Sequence, residues 1–129
     1  MQEFIDPALG AMKWNEDDEV WIGEYNGFQF ALSYEGKREP TPAVIEYARE
    51  TLANPQCLND GLAQAKSAAT RDFGQYYLDE AHSLIFGLIH FYFHKNQPRI
   101  FVELEGGRDF RCWRIQFSGT KFEGIGFDN

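Results

Sequence analysis

Cysteine and long apolar runs are scarce in this chain of 129 residues, and each scarcity excludes a class of protein. The two cysteines, Cys57 and Cys112, provide neither a disulfide framework nor metal-ligand spacing. We interpret them as free thiols in a reducing cytosol. No apolar run reaches the roughly 18 residues of a membrane span. Residues 1–7 lack the basic and apolar regions of a secretory signal, so we expect a cytoplasmic location.

Positive charge is also in short supply. Twelve Lys and Arg residues face 20 Asp and Glu residues, which gives a net charge of −8. Binding to nucleic acid or to an anionic membrane needs clustered basic residues, so neither is expected as a partner. An acidic surface steers basic partners towards it. The alternative is that the acidity serves only solubility.

What the chain does contain is apolar and aromatic material, at 43% and 16% of its residues. The length fits a single domain over residues 1–129. We predict an α+β fold in the order ββ-αα-ββββ, with two helices packed on one face of a twisted antiparallel sheet. The predicted segments are a lead-in at 1–19 with at most a short strand, a hairpin at 20–34, two helices within 41–74 and a four-stranded meander at 84–127.

Turn and cap residues mark the first half of the chain. Asn26-Gly27 predicts a type I′ hairpin turn, because both central residues of that turn need a positive φ. Residues 35–40 are expected to form a loop. Thr41-Pro42 is typical of a helix start, and Asn54-Pro55 of its end. A second helix is expected from about Asn59 to Phe73, followed by a connector at 74–81 that is either irregular or contains a helical turn.

The meander carries the clearest pattern, since both arms of its first hairpin are rich in aromatic and β-branched residues. A four-residue loop at 95–98 is expected to join these arms. A second turn is expected at 106–109, with loop residues 107–110, and a two-residue turn at Ser118-Gly119. The resulting apolar face pairs Phe91 with Val102, Ile89 with Leu104, Val102 with Ile115, Leu104 with Trp113, and Ile115 with Phe122. Cys112 is expected on the other face beside Glu105.

The same registers align a polar row across the other face of the meander. That row holds His90, Glu103, Arg114 and Glu123, and a parallel row holds Tyr92, Phe101, Gln116 and Lys121. We interpret the two rows as a recognition face whose candidate residues are His90, Tyr92, Phe101, Glu103, Arg114 and Glu123. Two alternatives stay open. One is a solvated ladder of opposite charges, and the other is a catalytic pair in which Glu103 is a base beside His90.

No pattern for a metal or a cofactor is found. His90 and His94 are about 13 Å apart on one strand, too far to share a metal ion. The chain has no Gly-x-Ser-x-Gly motif, phosphate loop or dinucleotide fingerprint. Residues 15–19 are rich in carboxylates but lack calcium-loop spacing. They are either a solvated loop or a second contact for a basic partner, through Glu16, Asp17 and Asp18. We therefore expect a protein that is not an enzyme.

Several short motifs resemble a group of small bacterial domains, some of which are immunity proteins encoded beside toxins of polymorphic or type VI secretion systems. The motifs that carry the resemblance are Asp6-Pro7-Ala8-Leu9-Gly10, Trp14, Trp21-Ile22-Gly23, Asn26-Gly27, Cys112-Trp113-Arg114-Ile115 and Gly124-Ile125-Gly126-Phe127-Asp128. The resemblance implies cytosolic neutralisation of a toxin. It carries over no catalytic residue.

These observations lead to a functional expectation with two alternatives. We expect a non-enzymatic immunity protein, a monomer or weak dimer, that occludes the functional site of a cognate toxin with a basic surface. The first alternative is a small-molecule-binding or regulatory domain that uses a cleft between helices and sheet. The second is a hydrolase, for which the sequence shows no convergent acid and base.

Overall fold

The computed structural model describes residues 3–33, 39–108 and 111–128, which form eight strands and three helices. The elements in chain order are β1 (Glu3–Asp6), β2 (Gly10–Asn15), β3 (Val20–Tyr25), β4 (Phe28–Ser33), α1 (Pro42–Ala53), α2 (Gln56–Asp72), α3 (Gln75–His82), β5 (Ile85–His94), β6 (Gln97–Glu105), β7 (Cys112–Ser118) and β8 (Lys121–Asp128).

All eight strands belong to one sheet, in the order in which they occur in the chain. Neighbouring strands are antiparallel except β4 and β5, which are parallel. They are parallel because the three helices between them return the chain to the end of the sheet at which β4 begins. The α+β class is confirmed, and the antiparallel sheet is confirmed for all but this one pair. The predicted order ββ-αα-ββββ is wrong in detail: four strands precede the helices, and there are three helices.

The residues expected to be a lead-in form the hairpin of β1 and β2. The Asp6 carboxylate holds its turn by accepting hydrogen bonds from the backbone N–H groups of Ala8 and Leu9, each at 2.9 Å. Gly10 then adopts a φ of +83°, which L side chains rarely adopt. A turn that is capped by an aspartate side chain occurs between two strands as well as at the start of a loop, so the same motif fits both structures.

The turn and cap predictions for the next segments hold where the structure describes them. Asn26 and Gly27 have φ values of 51° and 85°, as the type I′ turn requires. Thr41 caps α1 by accepting a hydrogen bond from the Val44 N–H at 3.3 Å. The second helix begins at Gln56 instead of Asn59, and the expected connector contains α3. Tyr34, loop residues 35–38, and Asp109 and Phe110 of the expected 107–110 loop lie outside the described residues.

The register of the meander is correct between β6 and β7 and wrong on either side. Val102 faces Ile115, and Glu103 faces Arg114, as predicted. Between β5 and β6 the turn is the two-residue Lys95-Asn96, with φ values of 50° and 63°, so His90 lies opposite Phe101 instead of Glu103. From Ile89 to His94 the error is an even number of residues, so these side chains stay on their predicted face. An irregularity between Phe86 and Ile89 interrupts the pairing before that point.

The pairing of β7 with β8 differs more, because an irregularity interrupts it between Gln116 and Phe117. Ser118 faces Lys121, which moves the turn one residue from the predicted Ser118-Gly119 to Gly119-Thr120. Gly119 has a φ of +62°, and its carbonyl accepts a hydrogen bond from the Tyr47 hydroxyl at 2.6 Å. As a result Arg114 lies opposite Gly126, and not opposite Glu123.

The predicted apolar face of the meander is the centre of the hydrophobic core. Helix α1 packs on β4 and β5, while α2 packs on β7 and β8. Gly61 allows α2 to approach closely, since a Cβ there would lie 2.3 Å from the Phe117 ring. No helix in the described parts of the chain has the length and apolarity to cross a membrane. The buried core side chains of the meander are Ile89, Phe91, Ile100, Val102, Leu104, Trp113, Ile115 and Phe117.

Candidate recognition face

The face of β5–β8 that points away from the core holds most of the predicted recognition residues. We call this surface the open face. It is defined by His90, Tyr92, Arg99, Phe101, Glu103, Cys112, Arg114, Gln116, Gly124, Gly126 and Asp128. Five of the six predicted meander residues occupy paired positions of this face, and Glu123 borders it at the irregularity of β8. The face also includes Arg99 and Asp128.

Phe101 is at the centre of a group of side-chain contacts on the open face. We call this group, which consists of His90, Phe101, Glu103, Arg114 and Asp128, the Phe101 cluster. The His90 ring lies 4.7 Å from the Phe101 ring, centroid to centroid, with an angle of 32° between their planes. The Arg114 guanidinium carbon lies 5.6 Å from the centroid of the same ring. One aromatic ring therefore contacts an imidazole from β5 and a cation from β7.

Two carboxylates complete the Phe101 cluster, one bound to His90 and one to Arg114. His90 Nε2 is 3.2 Å from Glu103 Oε2, and Arg114 donates a hydrogen bond to Asp128. This hydrogen bond raises the pKa of Arg114, so its charge is permanent. The Glu103 and Asp128 side chains are 54% and 61% exposed. Ion pairs this exposed contribute little to folding, and both carboxylates remain available to a partner.

Glu123 is the predicted residue that the structure moves out of the row. It lies at the irregularity of β8, where no residue of β7 is its register partner. It lines instead a depression of about 290 Å³ together with Tyr92, His94 and Arg99. β8 has one extra residue at this point, since Phe117 pairs with Phe122 and Gln116 pairs with Gly124. Glu123 is that extra residue, which explains why it leaves the row.

A second depression, of about 330 Å³, lies over β8 beside Arg114 and Gln116. Gly124 and Gly126 form part of its lining. A Cβ atom added at either glycine would meet no other atom within 4 Å. Missing side chains, and not a close backbone contact, leave the space above these two residues open.

One end of this side of the sheet is acidic. We call it the acidic end and define it by Glu24, Glu103, Glu105 and Asp128, near the β3–β4 turn. Glu24 and Glu105 line one depression of about 230 Å³, which also contains Phe28 and Phe86. Phe28 and Phe86 are in edge-to-face contact at 5.8 Å. In the described strands, four carboxylates thus share this end with one guanidinium, that of Arg114.

The acidic loop residues Glu16, Asp17 and Asp18 lie elsewhere. They form the exposed turn between β2 and β3, at the opposite end of the sheet from the acidic end. The Glu16 carboxylate accepts a 2.6 Å hydrogen bond from Trp14 Nε1, and Asn15 Oδ1 accepts one from the Asp18 N–H. Three strand spacings, about 14 Å, separate β3 from Phe101 on β6. The structure therefore does not bring this turn together with the Phe101 cluster.

The buried ion pair of Glu80 and Arg111 is the feature that sequence reasoning missed. Arg111 donates two hydrogen bonds to the Glu80 carboxylate, which also accepts one from the Trp113 indole. The hydrogen bonds from Arg111 lower the pKa of Glu80 to about 2 against the opposing effect of burial. Arg111 also lies 5.1 Å from the centroid of the Tyr77 ring. With its hydrogen bonds satisfied, this pair joins α3 to β7 and is structural.

Few groups suited to catalysis or to metal binding occur in the described parts of the chain. No cluster of three or more His, Cys, Asp or Glu side chains there could hold a metal ion. Burial raises the pKa of the Cys57 thiol, which disfavours its nucleophilic form. Cys112 is exposed and lies opposite Asp128 of β8, and the β6–β7 register continues towards Glu105 on its other side, as predicted. A groove of about 360 Å³ lies between α2 and Phe122, at the surface.

Comparisons of the whole chain found no similar protein. No protein-family model matches it, and neither curated proteins nor solved structures gave a match. The function is therefore inferred from the open face and the acidic end.

Proposed function

We propose that this chain is a non-enzymatic immunity protein that binds a cognate bacterial toxin in the cytoplasm and blocks its functional site. The observation that carries the proposal is the set of contacts on the open face, where Phe101 lies between His90 and Arg114 on the side of the sheet that points away from the core. The resemblance of the motifs to toxin-associated domains supports the same role.

The composition of the open face suits protein recognition. Binding energy at interfaces concentrates in a few aromatic and arginine side chains that are surrounded by polar groups. Here Phe101 and Arg114 supply the aromatic and the arginine, and Glu103 and Asp128 supply the polar surroundings. These side chains project from adjacent strands of one sheet, so little order has to be created when a partner binds.

Charge favours a basic partner. The net charge is −8, and the acidic end concentrates four carboxylates on the side of the sheet that also bears Phe101. An interface of ordinary size buries about 800 Å² on each partner. A surface of that extent reaches from the Phe101 cluster to the acidic end. A toxin that binds an anionic substrate in a basic cleft would be occluded by this surface.

The proposal is tested with the product of the gene adjacent to the one that encodes this chain. We expect that product to be toxic alone, tolerated when the two are co-produced, and co-purified with this chain. Phe101→Ala should weaken binding by about 30-fold, which corresponds to about 2 kcal/mol, the threshold for a hot-spot residue.

Tyr76→Ala is the matched control, because it removes an exposed aromatic ring from α3, on the helix-covered side of the sheet. We expect it to change the dissociation constant by less than about threefold. A neighbouring product that is neither toxic nor bound contradicts the proposed function. Equal losses from both variants would place the interface away from the open face.

A further inference from the structure

The two edges of the sheet differ in how they are protected against pairing with another strand. β1 has four residues, two of them the acidic Glu3 and Asp6, and Pro7 follows directly. β8 has eight residues, and its centre, residues 124–127, carries no charge and no proline. Charges, prolines and short length are the usual protection of an exposed edge. In the described residues β8 pairs with β7 alone, so the outer side of residues 124–127 lacks this protection, whereas Lys121 and Glu123 precede it and Asp128 follows it.

Depressions flank this edge on both sides of the sheet. The depression over Gly124 and Gly126 lies on the open face, and the groove between α2 and Phe122 lies on the helix-covered side. Successive side chains of a strand point to opposite faces of its sheet. An extended segment paired with β8 would therefore direct alternate side chains into the two depressions, which is how strand addition achieves specificity.

The two glycines of β8 fit this arrangement. Neither Gly124 nor Gly126 has a positive φ, and neither faces an atom that would exclude a Cβ. Backbone conformation and internal packing therefore do not explain glycine at these positions. What glycine does provide is room on the open face for side chains of an adjacent strand.

We propose that β8 accepts an extended, basic segment of the partner protein as a further strand of the sheet. The segment directs a side chain into the depression over Gly124 and Gly126, places a Lys or Arg side chain beside Asp128 at the acidic end, and places an apolar side chain in the groove beside Phe122 and Ala63. The inference rests on the proposed function and identifies the partner's binding mode. A second copy of this chain fits less well, because its own β8 would offer glycines to the open-face depression and leave it empty.

Amide hydrogen exchange on the complex with the adjacent gene product tests this inference. We expect amides within Lys121–Asp128 to exchange at least about tenfold more slowly in the complex, since strand addition gives the outward N–H groups partners. Amides of β1 should be unchanged. A complex that forms without protection of β8 overturns strand addition and leaves the proposed function intact, whereas absence of any complex overturns both.

Two substitutions refine the test. Gly124→Leu and Gly126→Leu fill the open-face depression, and each should weaken binding by about tenfold or more. Ala11→Leu is the control, because it adds the same side chain at an exposed position of β2, in the other half of the sheet. Unchanged affinity in both glycine variants overturns the inference. So does a dimer of the free chain, detected by light scattering, in which β8 is already protected from exchange.

Discussion

The two faces of strands β5–β8 use ion pairs in opposite ways. On the covered side Glu80 and Arg111 have side chains only 2% and 8% exposed, and the Trp113 indole supports them. On the open face Glu103 and Asp128 are more than half exposed and pair with His90 and Arg114. The same chemistry therefore stabilises the fold on one side and presents charge to the surroundings on the other.

The physical reason for this difference is desolvation. A buried charge that loses its partner has no water to replace it, so breaking such a pair is costly. An exposed charge exchanges a protein partner for water at little cost, and for the same reason it can exchange that partner for a group on another protein. Burial, and not the type of residue, separates structural pairs from pairs that are available for recognition.

The largest effect that tests this comparison is expected for Glu80→Gln. The substitution removes the carboxylate charge of the buried pair while the Arg111 guanidinium stays buried, so it should reduce the free energy of unfolding by about 3–5 kcal/mol. Glu103→Gln makes the same chemical change on the open face and should cost less than about 1 kcal/mol. Urea denaturation of both variants measures the contrast. Similar losses in the two would show that the faces do not differ in this respect.

Acid denaturation isolates the Glu80 contribution without a mutation. The hydrogen bonds from Arg111 lower the pKa of Glu80 from 4.5 in an ordinary environment to about 2 in the fold. The stabilisation is therefore complete above pH 4.5 and is lost as the pH falls towards 2. It amounts to up to about 3 kcal/mol. Denaturation curves between these pH values should show this loss, and Glu80→Gln should show a correspondingly weaker pH dependence.

Glycine substitutions provide a smaller test on the two sides of the sheet. A Cβ at Gly61 would lie 2.3 Å from the Phe117 ring, whereas a Cβ at Gly124 would meet nothing. Gly61→Ala should therefore cost about 1–3 kcal/mol, although alanine is the better helix former. Gly124→Ala should change stability by less than about 0.5 kcal/mol. Thermal unfolding checks both, and a stabilised Gly61→Ala would show that α2 shifts at little cost.

Local features were predictable wherever a short motif determines the backbone. Asn26-Gly27 forms the predicted turn, and Thr41 caps the predicted helix. The alternation of apolar and polar residues correctly placed Ile100, Val102 and Leu104 in the core. An error in register exchanges the two faces of a strand only when it amounts to an odd number of residues. The Lys95-Asn96 turn was missed because both of its residues are non-glycine at positive φ, where glycine is commoner.

The sequence by itself determined which side chains of β6 and β7 are buried and which face outwards, since alternation is a local property of a strand. The irregularities in β5 and β8 interrupt that alternation, and the sequence pattern predicted neither of them. Only the tertiary structure decided which outward residues meet. Because of the irregularity in β8, Arg114 binds Asp128 and not Glu123. The packing of distant segments also brings Glu80 of α3 into contact with Arg111, which lies 31 residues later in the chain. Such contacts depend on register and on packing between distant segments, and no local pattern specifies either.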